Sequence, residues 1–424
     1  NTFFNRKMRL ARFLLTILVS LCTIFFLSSP AQASDAPAKR IDAGNASSVY
    51  IDSAGKLWAS RDTFYYEGEK NRPAMIAKNV IAVSTSQGES TVYFITRDHT
   101  LWGYGSGTYG QLGKEKDFSP TPEPLLKNIV FIDAGHDTPF AIDEKGQLWT
   151  WGNDNPAKGK STLIQASVPA FPAGLVKMAD NIVQVSSSLS HTLALAKDGT
   201  LLAWGDNPGG EIGDGTITNR THPVTVDIST LNGRKIVKIT TRFGESFALT
   251  DDGTLWNWGQ SYTIPAEPGA GFPRLKPEKI TYLDNVADVA LGWGHILVLK
   301  KDKTVWIAGT GKMLNRDMEY EKIMYEERQT FLSMHGGKPD EETGDDDSLN
   351  DTSDDRFREI VHRWHSPRKI ATNIAEITSG QNHILLRKTN GTVIGCGANF
   401  AGELGIPNKG KQVYFTFVTL PVPR

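Results

Sequence analysis

"NIVQVSSSLSHTLALAKDGTLLAWGDNPGGEIGDG", residues 181–215, recurs in altered form along the chain. "NIVFIDAGHDTPFAIDEKGQLWTWGND" follows Asn128 onward, and "KIVKITTRFGESFALTDDGTLWNWGQS" starts at Lys235. Further copies begin at Asn285 and Asn373, and two degenerate ones at Arg40 and Asn79, which makes seven. In each, an apolar run such as Ile182 to Val185 meets a loop of small residues, and a second run ends at a tight Asp-Gly-type turn. A third run then carries Leu-Trp-x-Trp-Gly, and its alternate residues are apolar on both sides, as in Leu255, Trp256 and Trp258. A strand of that kind must be covered on both faces. Gly55, His99, Gly146, Gly199, Gly253, Lys303 and Gly391 hold the turn position. There glycine is expected to supply the positive φ of a type I′ hairpin.

Successive turn residues are 44, 47, 53, 54, 50 and 88 positions apart. All but the last step match the roughly 40 to 50 residues of one propeller blade. Radial stacking of small antiparallel sheets covers both faces of each and leaves only short edges. The expected fold is therefore all-β, a seven-bladed β-propeller over residues 34–424, with each blade read as three strands. The same frame explains "GYGSGTYGQLG" at 103–113, where Gly105, Gly107 and Gly110 have the spacing of a dinucleotide fingerprint. That fingerprint needs a helix after its glycines, and "KEKDFSPTPEP" follows instead. These glycines match 204–213 and 396–405 of other copies and serve chain reversal after the third strand.

Taken together, Gly-x-x-His, an apolar strand, Asp-Gly-Thr-Leu-Trp-x-Trp-Gly and Gly-Gln-Leu-Gly resemble the regulator of chromosome condensation repeat family, in its bacterial secreted type. The resemblance covers about residues 38–424 apart from one insertion and implies seven blades. It also implies a protein-binding role, since the family includes a nuclear exchange factor for a small GTPase and secreted bacterial inhibitors that cap a hydrolase with one propeller face. Gly-Gln-Leu-Gly survives only near Gly110 to Gly113, Gly210 to Gly213 and Gly402 to Gly405.

Residues 1–33 combine basic Arg6, Lys7, Arg9 and Arg12, an apolar run from Phe13 to Leu27, and Ala31-Gln32-Ala33. This pattern is that of a secretory signal peptide, so a secreted or periplasmic protein is expected, with no membrane attachment after cleavage. A retained anchor is the rival, although a run of fifteen residues falls short of the roughly 20 that span a bilayer. Beyond Ala33 the chain carries 42 bases, 47 acids and one cysteine, Cys396. A net charge of −5 argues against nucleic-acid binding, and a lone cysteine allows no internal disulfide. No cofactor motif, zinc-hydrolase motif, nucleophile elbow or P-loop occurs, so a monomeric non-enzyme without cofactors is expected.

Two regions stand out as candidate sites. His191, His295 and His383 share one position per blade and are expected to be structural, bonding loop backbone rather than a metal. Trp102, Trp149, Trp256 and Trp306 are likewise structural repeat positions. Two residues before the histidine position stand Asn45, Glu89, His136, Leu189, Phe243, Trp293 and Gln381, in loops that all open at one end of the ring. Leu189, Phe243 and Trp293, with His136 and Gln381, form the expected partner-binding rim; packing of these side chains over the channel mouth is the alternative. Second, the step of 88 points to an insertion at 313–366, placed between blades six and seven. It reads as a helix, an acidic loop with nine acids and no base between Asp340 and Asp355, and a second helix. Calcium at the loop or zinc at His362 and His365 are weaker readings, as the spacings of known sites are missing. An envelope carbohydrate-binding module, an enzyme with loop-borne residues, an exchange-factor-like regulator and a repeat domain of surface assemblies are the alternative functions.

Overall fold

The computed structural model describes residues 39–45, 47–60, 73–88, 90–113, 117–136, 138–152, 175–260, 273–309, 367–399, 402–406 and 413–420. The expected signal peptide at 1–33, Glu89 and the expected helices and acidic loop of 313–366 lie outside them. The described strands form seven four-stranded antiparallel sheets, each built from consecutive strands of the chain. Blade four is representative: Ile182–Ser187 is innermost, followed outward by His191–Ala196, Leu201–Gly205 and Arg220–Thr225. Each innermost strand packs on the next, and the innermost strand of blade seven packs on that of blade one.

The two-sided apolar third strand finds its explanation in the cores. Among the described residues seven hydrophobic clusters occur, and each spans two successive blades. Leu201 and Ala203 enter the cluster shared with blade five, while Trp204 and Leu202 enter the one shared with blade three. Alternation along a strand thus feeds two cores, one on each flank. Closure needs no exchanged strand. Ile41, Ala43, Tyr50 and Trp58 of blade one pack with Leu385, Val393, Leu404 and Leu420 of blade seven, and Glu376 Oε1 accepts the Arg40 and Ile41 amides at 2.7 and 3.2 Å.

Three expectations change. Each blade has a fourth, outer strand, such as Phe118–Leu126 or Arg274–Lys279. Three of the outer strands, Phe118–Leu126, Arg220–Thr225 and Arg274–Lys279, contain proline, which an edge tolerates because it can spare ladder donors. The hairpin turns are not type I′. In blade five the Gly253 amide reaches the Thr250 carbonyl at 2.9 Å and the Thr250 amide reaches Thr254 at 2.9 Å. Only Gly253 of that loop has positive φ, +89°. This is a three-residue loop, a type I turn closed by one left-handed residue. His99 and Lys303 adopt the same φ, +58° and +67°. Finally, the insertion lies within blade six rather than after it, since Arg368–Ala371 is that blade's outer strand and Ala371 pairs with Val305. Overlooking the fourth strand had moved the blade boundary.

Antiparallel order sorts the connections. Loops between first and second strands, and those between third and outer strands, open on one face of the ring; hairpin turns and blade-to-blade corners open on the other. Gly309 and Arg368, the described strand ends on either side of the insertion, therefore lie toward the face that carries the Trp293 loop. On the opposite face, Asn79, Asn128, Asn181, Asn285 and Asn373 take left-handed φ of 54° to 61° at the corners. Asparagine tolerates this conformation better than most residues.

Candidate protein-binding face

Around the ring axis, side chains of one blade hold the backbone of the next. Asp42 Oδ2 accepts the Thr85 amide at 2.8 Å, Ser84 Oγ that of Ala134 at 3.0 Å, Asp133 Oδ2 that of Ser187 at 2.6 Å and Ser186 Oγ that of Thr241 at 3.0 Å. Lys39 Nζ sits 2.6 Å from Asp42 Oδ1, and Asp133 and Glu376 also attract it. Its ammonium is held above the ordinary lysine value by these carboxylates, against the opposing effect of burial. Burial pushes the Asp133 carboxyl up to about 6.

The repeat histidines join blades as well. His191 Nε2 lies 2.7 Å from Ser246 Oγ, His295 Nε2 is 2.8 Å from Ser379 Oγ, and His383 Nε2 is 3.0 Å from Ser48 Oγ. In every case the serine belongs to the following blade. His295 Nδ1 also faces the Trp293 carbonyl at 3.3 Å, a loop contact of the expected type. Burial pushes His191 and His295 down to about 3 and His383 to about 4, so all three rings are neutral at ordinary pH. Among the described residues no group of three or more His, Cys, Asp or Glu is placed to hold a metal ion. The indoles of Trp102, Trp149, Trp256 and Trp306 donate to Thr96, Asp143, Thr250 and Thr304 at 3.0 to 3.2 Å, pinning the hairpins. Trp151 and Trp258 donate to the carbonyls of Gln111 and Glu211, in the Gly-Gln-Leu-Gly-type loop of the preceding blade. Cys396 stands at the position of those second tryptophans; it is buried, and burial pushes its thiol up to about 12.

The rim residues meet at the channel mouth. Trp293 is 59% exposed and Leu189 38%. Phe243 is half-buried, with its ring centroid 6.2 Å from that of Trp293 at a tilt of 48°. Ser190 Oγ donates to the Phe243 carbonyl at 2.8 Å, and Ser188 Oγ does so at 3.2 Å, so the loop bearing Leu189 is fixed against that of Phe243. The Trp293 amide donates to the Gln381 carbonyl at 3.2 Å, and Gln381 Nε2 donates to the Gln87 carbonyl at 2.8 Å. The His136 carbonyl accepts the Gly88 amide at 3.1 Å, and Asn45 Nδ2 donates to the Gly88 carbonyl at 3.2 Å. Leu189, Phe243 and Trp293 thus stand on successive blades, whereas Gln381, bonded to the Trp293 backbone, and His136 belong to a polar bracing network that runs through Gln87 and Gly88. Ile217, 59% exposed, lies in the blade-four connection that opens on the same face.

Two residues that sequence reasoning passed over organise this mouth. Gln87 donates from its amide to Gly135 at 3.0 Å and from Nε2 to Ala43 at 3.1 Å, and its Oε1 accepts from Arg242 Nη1. With Gln381 it ties five blades together. Arg242 is only 7% exposed and lies 5.2 Å from the Phe243 ring centroid. One signal was present in the sequence: the Arg242 position is glycine or serine in the other six copies.

Comparison with known proteins agrees with this architecture. Residues 182–211 and 198–241 match models of the regulator of chromosome condensation (RCC1) repeat. Human E3 ubiquitin-protein ligase HERC2 is 26% identical over 244 residues, and the mitochondrial RCC1 domain-containing protein RUG3 of Arabidopsis thaliana is 26% identical over 240. These stretches cover 54% and 52% of this chain but 5% and 53% of those proteins. The mouse regulator of chromosome condensation is 32% identical over 163 residues, 37% of each chain. Among solved structures, Prp20p of Saccharomyces cerevisiae, described with its binding to Gsp1p and histones, superposes with a TM-score of 0.63 at 17% identity over 92% of this chain and 88% of that one. Human WBSCR16 does so at 0.61 and 17% identity, covering 84% and 86%. Blades four and five thus carry regulator of chromosome condensation repeats by sequence match, within the four-stranded unit that is closed seven times into a ring.

Proposed function

We propose that the chain is a non-catalytic, protein-binding propeller whose partner sits on the face carrying Leu189, Phe243 and Trp293. One observation carries this reading: an indole 59% exposed, in ring contact with Phe243, on loops immobilised by cross-blade hydrogen bonds. Large aromatic groups held rigid lose little entropy on contact, so they are favoured anchors at interfaces. Similarity to Prp20p, whose structure is described with Gsp1p and histone binding, supports a protein partner in general without naming this one. The basic and apolar run of residues 6–27 supports export of the chain, and capping of an envelope or secreted protein follows as the form of the activity.

Affinity capture from envelope extract tests the reading with wild type, Trp293→Ala and the opposite-face variant Lys303→Gly. Trp293→Ala is expected to lose partners that the other two retain, with a melting temperature close to wild type because the side chain is mostly in water. Equal capture by all three, or loss accompanied by a large fall in melting temperature, refutes it.

A further inference from the structure

Resting on the protein-binding reading, one feature of the mouth narrows the chemistry of the partner. Six blades place Gly44, Ser86, Gly135, Ser188, Gly292 and Gly380 at the end of the innermost strand, and blade five places Arg242 there. In blades six and seven glycine is enforced by the histidine that folds over it: a Cβ on Gly292 would stand 1.9 Å from His295, and one on Gly380 2.6 Å from His383. Glu245 replaces the histidine in blade five, which frees the position for a long side chain. Arg242 is therefore an addition to the repeat rather than part of its framework.

Its guanidinium is nine-tenths buried yet has a single hydrogen bond, from Nη1 to Gln87 Oε1. Nε and Nη2 have no acceptor among the described residues, and they are not among the buried polar atoms sealed from solvent without a partner. Asp42, the carboxylate that acts on Arg242, is committed elsewhere, to Lys39, the Ala43 and Thr85 amides and the Thr378 hydroxyl. Burial pushes Arg242 down only to about 10, so it stays cationic at neutral pH. A partly dehydrated guanidinium with two adjacent free N–H edges matches a carboxylate in fork geometry. With Asp42 and Asp133 near the axis, a monoanion is preferred to a multiply charged phosphate.

We propose that Arg242 receives a carboxylate of the partner protein, an aspartate or glutamate presented beside an apolar side chain that lies on Phe243 and Trp293. The probe is a phage-displayed random dodecapeptide library panned on the full chain and counter-selected on Arg242→Gln. Enriched peptides are expected to place an acid next to an aromatic or aliphatic residue. Amidation of that acid should weaken a synthetic peptide at least tenfold on the wild-type protein and have no further effect on Arg242→Gln. The peptide change needs no folded variant, and Arg242→Lys, which keeps charge without the fork, should fall in between. Peptides without acids, equal effects of amidation on both proteins, or no peptide that distinguishes them would overturn the proposal. Binding lost with Trp293→Ala but indifferent to Arg242 and to the acid would leave the binding face standing and remove only the carboxylate.

Discussion

Acid should loosen this ring through its histidines, and the size of the effect follows from their burial. His191, His295 and His383 have folded values of about 3, 3 and 4 because burial opposes charge. In the unfolded chain each returns to about 6.5. The unfolded state therefore binds more protons between these limits, and stability falls as pH drops below about 6.5. At about pH 5 each ring contributes a loss of about 2 kcal/mol, close to 6 for three. Asp133 acts in the opposite sense: its folded value of about 6 lies above the unfolded one, so its protonation returns about 1 kcal/mol over the same interval. A net loss of about 5 kcal/mol between about pH 7.5 and about pH 5 is then expected, comparable to the whole stability of many domains. Urea unfolding followed by tryptophan fluorescence measures it, and His191→Gln should remove about a third of the histidine share while leaving a polar contact for Ser246. Equal stability at the two pH values, or an unchanged loss in the triple glutamine variant, refutes the argument.

Gly292→Ala should cost about 3 kcal/mol or more, because the new Cβ meets the His295 ring at 1.9 Å and Ser379 Oγ at 2.5 Å inside a packed joint. Gly199→Ala, with nothing within 4 Å but a φ of +90°, should lose only about 1 to 2 kcal/mol from backbone strain; thermal melts of the two rank them. In protein beginning at Ser34, Cys396, buried with its thiol pushed up to about 12, should resist an aromatic disulfide reagent at about pH 8 and react only after unfolding, and prompt labelling of that native protein would contradict its placement.

Trp-x-Trp-Gly with its turn residues was enough to give the blade count, since a strand apolar on both sides has few ways to be covered except between two others. Harder to read were the outer strands, where an edge is stabilised by pairing rather than by burial and so leaves no hydrophobic period. Their absence from the pattern displaced the insertion by one strand. The asparagines that open Asn79, Asn128, Asn181, Asn285 and Asn373 were visible as a register mark, but their left-handed corner became legible only from the backbone.

Local order along the chain therefore determined the seven repeats, the two-flanked cores and the loops sharing a face, because each of these depends on residues within one blade or the next. What tertiary structure alone decided is the mouth. Arg242 of blade five meets Gln87 of blade two across 155 residues, and Gln381 of blade seven reaches the same Gln87 across 294. Contacts across a ring axis join residues that share neither spacing nor periodicity, so closure of the ring had to occur before their chemistry could be read.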